Sequence, residues 1–371
     1  MTLFEKLSNL DWDFVASRSG KGLQDIHPYP AKFIPEIPRQ IISEIGLKKG
    51  TAILDPFCGS GTTLMVAQSL GIPSVGIDLN PIACLISEVK TSPPINGLYD
   101  QAIKIVENAK NGIHSLEEVS YIPNLNHWFK KDIQKALLSL KNEINLIKNS
   151  KAKKALQLCL SSIMVRVSNQ DSDTRYAAVE NNIRHSDVYR LFLLAAGKLE
   201  KIKSNGNGSG ESVKIFNKDV LSVKPQQIKE DIGLVITSPP YPNAYEYWLY
   251  HKYRMFWLDF DPLAVKEKEI GARAHFFKRN HHTEDDFFHQ MSGTLSLVND
   301  VLVKGGHAVF VVGRSKIHGK IVDNSEIIKN AAESNKLKLV GKITRTIKSS
   351  RKSFNLTHAK IKEEQIVILK K

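Results

Sequence analysis

The element Thr237-Ser-Pro-Pro-Tyr241 carries the most informative chemistry in the sequence, and it directly follows the apolar run Gly233-Leu-Val-Ile236. Two consecutive prolines stiffen the backbone and remove two N–H donors, so carbonyl oxygens are left as acceptors. The Ser238 hydroxyl and the Pro239 carbonyl can together accept hydrogen bonds from the two N–H groups of an aromatic amine. Such bonds favour a tetrahedral nitrogen whose lone pair points at an electrophile. The element therefore predicts catalysis by orientation and electrostatic stabilisation.

A second element, Asp55-Pro-Phe-Cys-Gly-Ser-Gly-Thr-Thr63, predicts a nucleoside site. Gly59 and Gly61 lie between a predicted strand and a predicted helix, where they allow a sharp turn and a close approach to a ligand. Asp78 ends the next predicted strand, where a carboxylate can accept hydrogen bonds from both ribose hydroxyls. Such a turn can also serve helix–sheet packing alone. The position of Asp78 favours nucleoside binding.

These elements need a parallel sheet that brings several strand ends to one edge, and the hydrophobic pattern predicts one. Short apolar runs alternate with helical patterns, which is typical of a doubly wound α/β fold. The predicted helices are 64–70, 287–303 (ending at Gly305-Gly306) and 323–334. The predicted strands are 51–55, 73–78, 213–216, 233–236, 307–312, 338–343 and 365–369, and the last two form a terminal hairpin.

One stretch, from about Asn96 to Lys203, shows only helical patterns and predicts a helical insertion. A glycine-rich stretch, 204–210, follows it in the wrong context for nucleotide binding and is interpreted as a loop. Three domains are therefore predicted. Residues 1–95 form an N-terminal arm and the first part of a catalytic domain. Residues 96–210 form the insertion, and residues 211–371 form the second part of the catalytic domain. The insertion is a candidate target-recognition region.

The motif Asp55-Pro-Phe-Cys-Gly-Ser-Gly-Thr62 closely resembles the first motif of the amino-methyltransferases, and Ser238-Pro-Pro-Tyr241 resembles their catalytic motif. With residues 27–95 and 211–371 included, the chain resembles site-specific DNA methyltransferases acting on cytosine N4 or adenine N6. The resemblance implies a Rossmann-like methyltransferase sheet and S-adenosylmethionine as the cofactor. An all-helical insertion departs from many recognition domains of that family.

The resemblance also implies roles for cofactor-binding residues. Asp55 lies near the methionine portion and Asp78 holds the ribose. Asp219 meets the adenine amine, although it could equally cap a turn. Lys32 pairs with the ligand's carboxylate, and Phe33 lies against its apolar face. The implied cofactor set is Lys32, Phe33, Asp55, Phe57, Gly59, Gly61, Asp78 and Asp219.

The catalytic set implied in the same way is Ser238, Pro239, Pro240 and Tyr241. Tyr241 would stack on a target base taken out of the duplex, since an amine inside the helix cannot be attacked in line. Serine at the first motif position is usual for cytosine N4 in this family, which favours cytosine. Adenine N6 is the main alternative, and guanine N2 in RNA is a further one. After the motif, aromatic residues at 245–257 recur at helical spacing, most of them as expected core and one or two as pocket residues.

The charge balance of 52 Lys and Arg against 38 Asp and Glu, a net charge of +14, suits a partner rich in phosphates. Double-stranded DNA with a flipped base is the expected partner, and a cognate restriction endonuclease is a possible second one. The candidate DNA-contacting residues are Asn169, Arg175, Arg184, Lys278, Arg279, Arg351 and Lys352.

Other features limit the functional classes. Three scattered cysteines indicate a reducing compartment and no metal site, and no apolar run is long enough to span a membrane, so a cytoplasmic protein is expected. A nucleic-acid-binding protein with a degenerate methyltransferase fold is opposed by the complete motifs. A dinucleotide oxidoreductase is opposed by the Pro56-Phe-Cys58 entry to the glycine turn.

Overall fold

The computed structural model describes residues 1–14, 22–112, 121–173, 175–205, 211–242, 245–277, 281–347 and 363–371. Among these, no helix combines the length and the apolar character needed to cross a bilayer. Within the same segments, no group of three or more His, Cys, Asp or Glu side chains is arranged to hold a metal ion. The three cysteines are buried free thiols.

A large central sheet organises the molecule, and a separate two-stranded hairpin lies in the insertion. The strands are β1 (Ala52–Asp55), β2 (Ser74–Asp78), β3 (Gln170–Ser172), β4 (Arg175–Ala178), β5 (Val213–Asn217), β6 (Ile232–Thr237), β7 (Leu302–Ile317), β8 (Lys320–Asp323), β9 (Lys338–Thr346) and β10 (Glu363–Lys370). The order across the large sheet is β5-β2-β1-β6-β7-β10-β9, with β8 paired to β7. The first five strands in this order run parallel, and β10 is antiparallel to both β7 and β9. The predicted terminal hairpin is confirmed.

Helices cover both faces of the sheet and build the insertion. They are α1 (Leu3–Ser8), α2 (Glu36–Ile45), α3 (Thr62–Ser69), α4 (Pro81–Thr91), α5 (Leu98–Gly112), α6 (Leu125–Trp128), α7 (Lys131–Asn145), α8 (Ser150–Ile163), α9 (His185–Ser204), α10 (Tyr247–Trp257), α11 (Pro262–Lys268), α12 (Arg273–Phe276), α13 (Glu284–Val301) and α14 (Asn324–Ser334).

Alternate strand residues feed two different cores, as a sheet buried on both faces requires. Ile53 of β1 packs with α2 and α3 on one face, whereas its neighbour Leu54 packs with α13 and α14 on the other. Leu234 and Val235 of β6 divide in the same way. The doubly wound α/β fold is therefore confirmed.

The strand order reverses at β1, because β2 pairs on one side of it and β6 on the other. In open α/β sheets such a reversal opens a crevice outside the carboxyl ends of the strands, where ligands bind. The glycine turn follows β1 and the Ser238 element follows β6. The fold therefore places both predicted motifs at this crevice.

The insertion is mainly helical, but the prediction that it contains helices alone was wrong. Gln170–Ser172 and Arg175–Ala178 pair as the antiparallel strands β3 and β4. The backbone of Asn169 extends this pairing, accepting from the Val179 N–H at 2.7 Å. Helices α5 to α9 pack with α4 and α10 in one core. The insertion therefore contacts both the first and the second catalytic part.

Strand β7 also differs from its prediction. The predicted helix end at Gly305-Gly306 was wrong, because α13 ends at Val301 and both glycines lie within β7. The strand continues to Ile317 because β8, which was not predicted, supplies a pairing partner beyond the core. Local apolar patterning could not show this extension, since its end is held by partners at 320–323.

Candidate functional site

A cavity of about 900 Å³, measured with its open mouth, lies at the crevice beside β1. Residues from both predicted motifs line it, among them Asp55, Gly59, Asp78 and Ser238. Further lining comes from the N-terminal arm and from the segment between α11 and α12. The structure thus brings together residues that are nearly two hundred positions apart in the sequence.

The glycine turn is folded by two residues in the left-handed region, Gly59 at φ +50° and Gly61 at φ +76°. Gly59 lines the cavity, and its N–H donates to Asp78 Oδ2 at 2.8 Å. Gly61 instead packs on α4: a Cβ there would lie 2.6 Å from Ser87 Oγ and 3.0 Å from Ser87 Cα. The Ser87 hydroxyl in turn donates to the Gly59 carbonyl at 2.8 Å. The two glycines therefore do different work, one facing the cavity and one permitting close helix packing.

Replacing Gly61 with alanine is expected to destabilise the fold by about 2–4 kcal/mol, the sum of left-handed strain and a backbone clash. Gly50→Ala is the matched control, because Gly50 also has a positive φ, +84°, but a Cβ there would have nothing within 4 Å. Urea denaturation measures both variants. Equal losses in the two would show that the contact with Ser87 has no energetic weight.

Asp78 is held by two backbone donors at the end of β2. Gly59 N–H reaches Oδ2 and Asn80 N–H reaches Oδ1, each at 2.8 Å. Burial raises the pKa of Asp78 from its ordinary 3.8 to about 6, although these hydrogen bonds act in the opposite direction. The side chain lines the cavity at the position where a ribose is predicted.

Asp55 connects the two motifs directly. The Thr237 hydroxyl, next to Ser238, donates to Asp55 Oδ1 at 2.7 Å, and the Phe57 N–H donates to the same oxygen at 3.2 Å. The side chain is buried, which raises the pKa of Asp55 to about 6. Two carboxyl groups with raised pKa values thus line one cavity, which favours a cationic ligand.

The N-terminal arm supplies Lys32 and Phe33 to the cavity wall, as well as Tyr29. Lys32 Nζ donates to the carbonyls of Gln24 at 2.5 Å and His27 at 3.1 Å. These bonds use two of the three donors of an ammonium group. Contact between Lys32 and a ligand carboxylate stays a prediction.

Of the four residues of the predicted catalytic element, all of them described, Ser238 and Pro240 line the cavity. The Tyr241 hydroxyl lies 3.4 Å from Ser238 Oγ, 3.3 Å from the Val311 carbonyl and 3.0 Å from Glu364 Oε1. Its ring packs against the core that α13 and α14 share with the sheet. Stacking of Tyr241 on a base stays a prediction.

Two tyrosines, Tyr29 and Tyr247, line the cavity in addition to Phe33 and Phe57. The two tyrosine rings stack with centroids 5.7 Å apart, and Tyr29 also stacks on buried His251 at 5.3 Å. The two tyrosines lie in the N-terminal arm and among the aromatic residues at 245–257, but the sequence predicted no role for Tyr29 itself. A tyrosine between two prolines, Pro28 and Pro30, was the available signal.

Asp219 caps a turn, as one of the two interpretations from the sequence predicts, whereas its contact with an adenine amine stays a prediction. Its Oδ1 accepts from the Leu221 N–H at 3.0 Å and so caps a short 3₁₀ helix at Val220–Ser222. It also lines the cavity beside Lys218 and Val220. Phe57 lines the cavity as well, so the predicted cofactor residues other than Gly61 all reach it.

The candidate DNA-contacting residues are only partly described. Lys278, Arg279, Arg351 and Lys352 lie outside the described residues, and of Arg175 only the backbone, in β4, is described. Asn169 donates from Nδ2 to the His127 carbonyl at 3.0 Å, and Arg184 is exposed at the start of α9. DNA contact by these seven residues stays a prediction.

Comparison with known proteins agrees with this geometry. A family model described as DNA methylase, for N6 and N4 methyltransferases, matches residues 5–89. The type II methyltransferase M.BsoBI of Geobacillus stearothermophilus is 27% identical over 307 residues, covering 72% of this chain and 58% of that protein. M.MvaI of Kocuria varians is 26% identical over 262 residues, covering 63% and 57%. The chain is therefore similar to N6/N4 DNA methylases in its N-terminal part and to type II DNA methyltransferases over most of its length.

The chain spans somewhat more than half the length of the curated relatives it matches. Among solved structures, a TehB-like SAM-dependent methyltransferase from Corynebacterium glutamicum is 10% identical with a TM-score of 0.33, covering 90% of this chain and 86% of that one.

The cavity fits S-adenosylmethionine, the cofactor that the sequence predicts. The ligand is a sulfonium cation, and buried Asp55 and half-buried Asp78 both have raised pKa values that a nearby cation would lower. Its nucleoside part matches the placement of Asp78 and Asp219 beside the glycine turn. When bound, it supplies an electrophilic methyl group.

Proposed function

We propose that this chain transfers a methyl group from S-adenosylmethionine to the exocyclic N4 amine of cytosine in double-stranded DNA. The single observation that carries the proposal is that Ser238 lines the same cavity as Gly59 and Asp78. A side-chain acceptor for an amine thus faces the space where the methyl donor is held.

The proposed chemistry needs little from the protein besides orientation. Ser238 Oγ and the Pro239 carbonyl accept the two N–H groups of the target amine, so its lone pair points into the cavity. Transfer would form a bond from the amine nitrogen to the methyl carbon as the C–S bond breaks, and the nitrogen would release one proton to solvent. The leaving sulfur becomes a neutral thioether, so no general acid is required.

The target base must leave the duplex to reach this position, because the cavity lies at the sheet edge among buried side chains. Apolar and aromatic residues are available to receive it, with Pro240, Tyr247 and Ile270 all lining the cavity. The net charge of +14 supports phosphate binding, and the insertion supports target recognition as part of the proposal. The proposal also places the protein in the cytoplasm and allows a cognate restriction endonuclease as its partner.

Cytosine is preferred over adenine in this proposal because the first motif position is Ser238. Incubation with S-adenosylmethionine carrying a labelled methyl group and with genomic DNA, followed by digestion to nucleosides, is expected to yield N4-methylcytosine. Detection of N6-methyladenine instead would identify adenine, and not cytosine, as the target base. Label that enters RNA and not DNA would overturn it in favour of guanine N2 in RNA.

A further inference from the structure

A carboxylate outside the predicted motifs, Glu269, lies between α11 and α12 and lines the same cavity as Ser238. Its side chain is buried, with 7% of the residue exposed. Oε1 accepts the Tyr247 N–H at 2.8 Å, and Oε2 accepts the Trp248 N–H at 2.7 Å. These are the first N–H groups of α10, the helix that follows the catalytic element.

Helix α10 depends on this distant cap, because Glu246 at its own N-cap position makes no side-chain cap hydrogen bond. The first N–H groups of a helix lack partners within the helix, and a carboxylate there also interacts favourably with the helix dipole. Glu246 instead accepts the Ala274 N–H at 3.1 Å, at the start of α12. Glu269 therefore caps α10, which follows Glu246, and Glu246 caps α12, which follows Glu269.

Gly271 brings the same segment against the catalytic element itself. Its φ is +76°, and a Cβ there would lie 2.8 Å from the Tyr241 carbonyl oxygen and 3.4 Å from that of Pro240. Glu246, Glu269 and Gly271, here named the clasp, thus touch the backbone at Pro240–Tyr241 and again at Tyr247–Trp248. The clasp therefore holds the chain at two points, at the end of the catalytic element and at the start of α10.

We propose that Glu269 and Gly271 are positioning residues that fix the Ser238 element through the clasp. The proposal rests on the proposed function for its activity readout. A misplacement of about 1 Å at a reacting group can cost about 100-fold in rate. In this proposal the clasp acts on turnover by fixing the position of the Ser238 element.

Burial adds a cost that supports a role beyond ordinary packing. It raises the pKa of Glu269 from 4.5 to about 8, and the nearby charges of Glu246 and Asp78 act in the same direction. An apolar residue here would avoid that cost but could not accept two N–H groups.

The test uses Glu269→Gln and Gly271→Ala. A glutamine can accept only one of the two N–H groups and turns its own amide donors toward the other. The Cβ of an alanine at 271 would clash with the Tyr241 carbonyl oxygen without altering any charge. Both variants are expected to lose about 10- to 100-fold in kcat for DNA methylation, with the Kd for S-adenosylmethionine nearly unchanged in Gly271→Ala.

Asp323→Ala is the control, because Asp323 caps α14 through the Ser325 N–H at 2.9 Å on a helix outside the cavity lining. It removes a cap of the same kind, so kcat should be retained. Wild-type kcat in both clasp variants would overturn the proposal. So would losses of Tm and of S-adenosylmethionine affinity in Gly271→Ala as large as its loss of kcat, since these would indicate general damage.

Deuterium exchange separates failure of this proposal from failure of the proposed function. If the wild-type protein binds S-adenosylmethionine but methylates no nucleic acid, the proposed function fails. The clasp is then judged by the Tyr247 and Trp248 amides, which should exchange faster in Glu269→Gln and not in Asp323→Ala. Unchanged exchange at these amides would overturn the clasp.

Discussion

Ser238→Ala is expected to lower methyl transfer to DNA by about 100- to 1,000-fold, which is the usual effect of removing one preorganised hydrogen-bonding group from a reacting centre. Ser238 lines the cavity, and the hydroxyl of Thr237 beside it donates to Asp55 at 2.7 Å. The backbone of the catalytic element should therefore keep its position when the hydroxyl is removed. The loss should appear in kcat, whereas the Kd for S-adenosylmethionine should be retained.

Ser334→Ala is the matched control for this measurement, because the exposed Ser334 hydroxyl bonds only locally, to the Asn330 carbonyl at 2.9 Å in α14. Its turnover should equal that of the wild type. Full activity in Ser238→Ala would remove the hydroxyl from the mechanism. Loss of cofactor binding in that variant would instead show that Ser238 shapes the donor site.

Asp55→Asn is expected to increase stability near pH 8 while weakening the binding of S-adenosylmethionine. The hydrogen bonds from Thr237 and Phe57 end on Oδ1, so an asparagine carbonyl can keep these two. Burial raises the pKa of Asp55 to about 6. A carboxyl group whose pKa is raised by folding contributes stability below its unfolded pKa, and that contribution is lost as the pH rises through the folded value.

Between about pH 4 and pH 7 the wild-type protein should therefore lose on the order of 3 kcal/mol that the variant keeps, since the pKa shift is about two units. Urea denaturation across this range measures the difference, which should vanish near pH 4. Calorimetry at pH 8 should show about 10-fold or greater loss of cofactor affinity, because the sulfonium loses a buried countercharge. An asparagine variant with wild-type affinity would place the sulfonium away from Asp55.

Much of the fold follows from local sequence, because each strand of the parallel sheet is a short apolar run bounded by turn residues. Leu54 and Asp78 show why the site was predictable: the pattern places each strand end, and the parallel topology brings those ends together. The strand pair β3 and β4 escaped prediction because Gln170-Asp-Ser172 lacks the alternation of a half-buried strand.

The clasp could not be predicted for a different reason. Glu269 stands in the ordinary charged run Glu267-Lys-Glu269, and nothing near it indicates that its partners are the amides at 247 and 248. The orientation of Tyr241 likewise depends on Glu364, which lies on the last strand. Contacts of this kind are set by tertiary packing, about which local sequence patterns carry no information.

The carboxylates of Asp55 and Asp78 also interact differently with the sulfonium donor and with the neutral thioether that the proposed reaction leaves. A sulfonium offsets their negative charge, whereas the thioether left by the proposed reaction carries none. With the positive charge gone, both groups return toward their raised pKa values near 6 and hold their negative charge less favourably. The by-product of the proposed reaction therefore lacks the electrostatic attraction between the sulfonium and these two carboxylates.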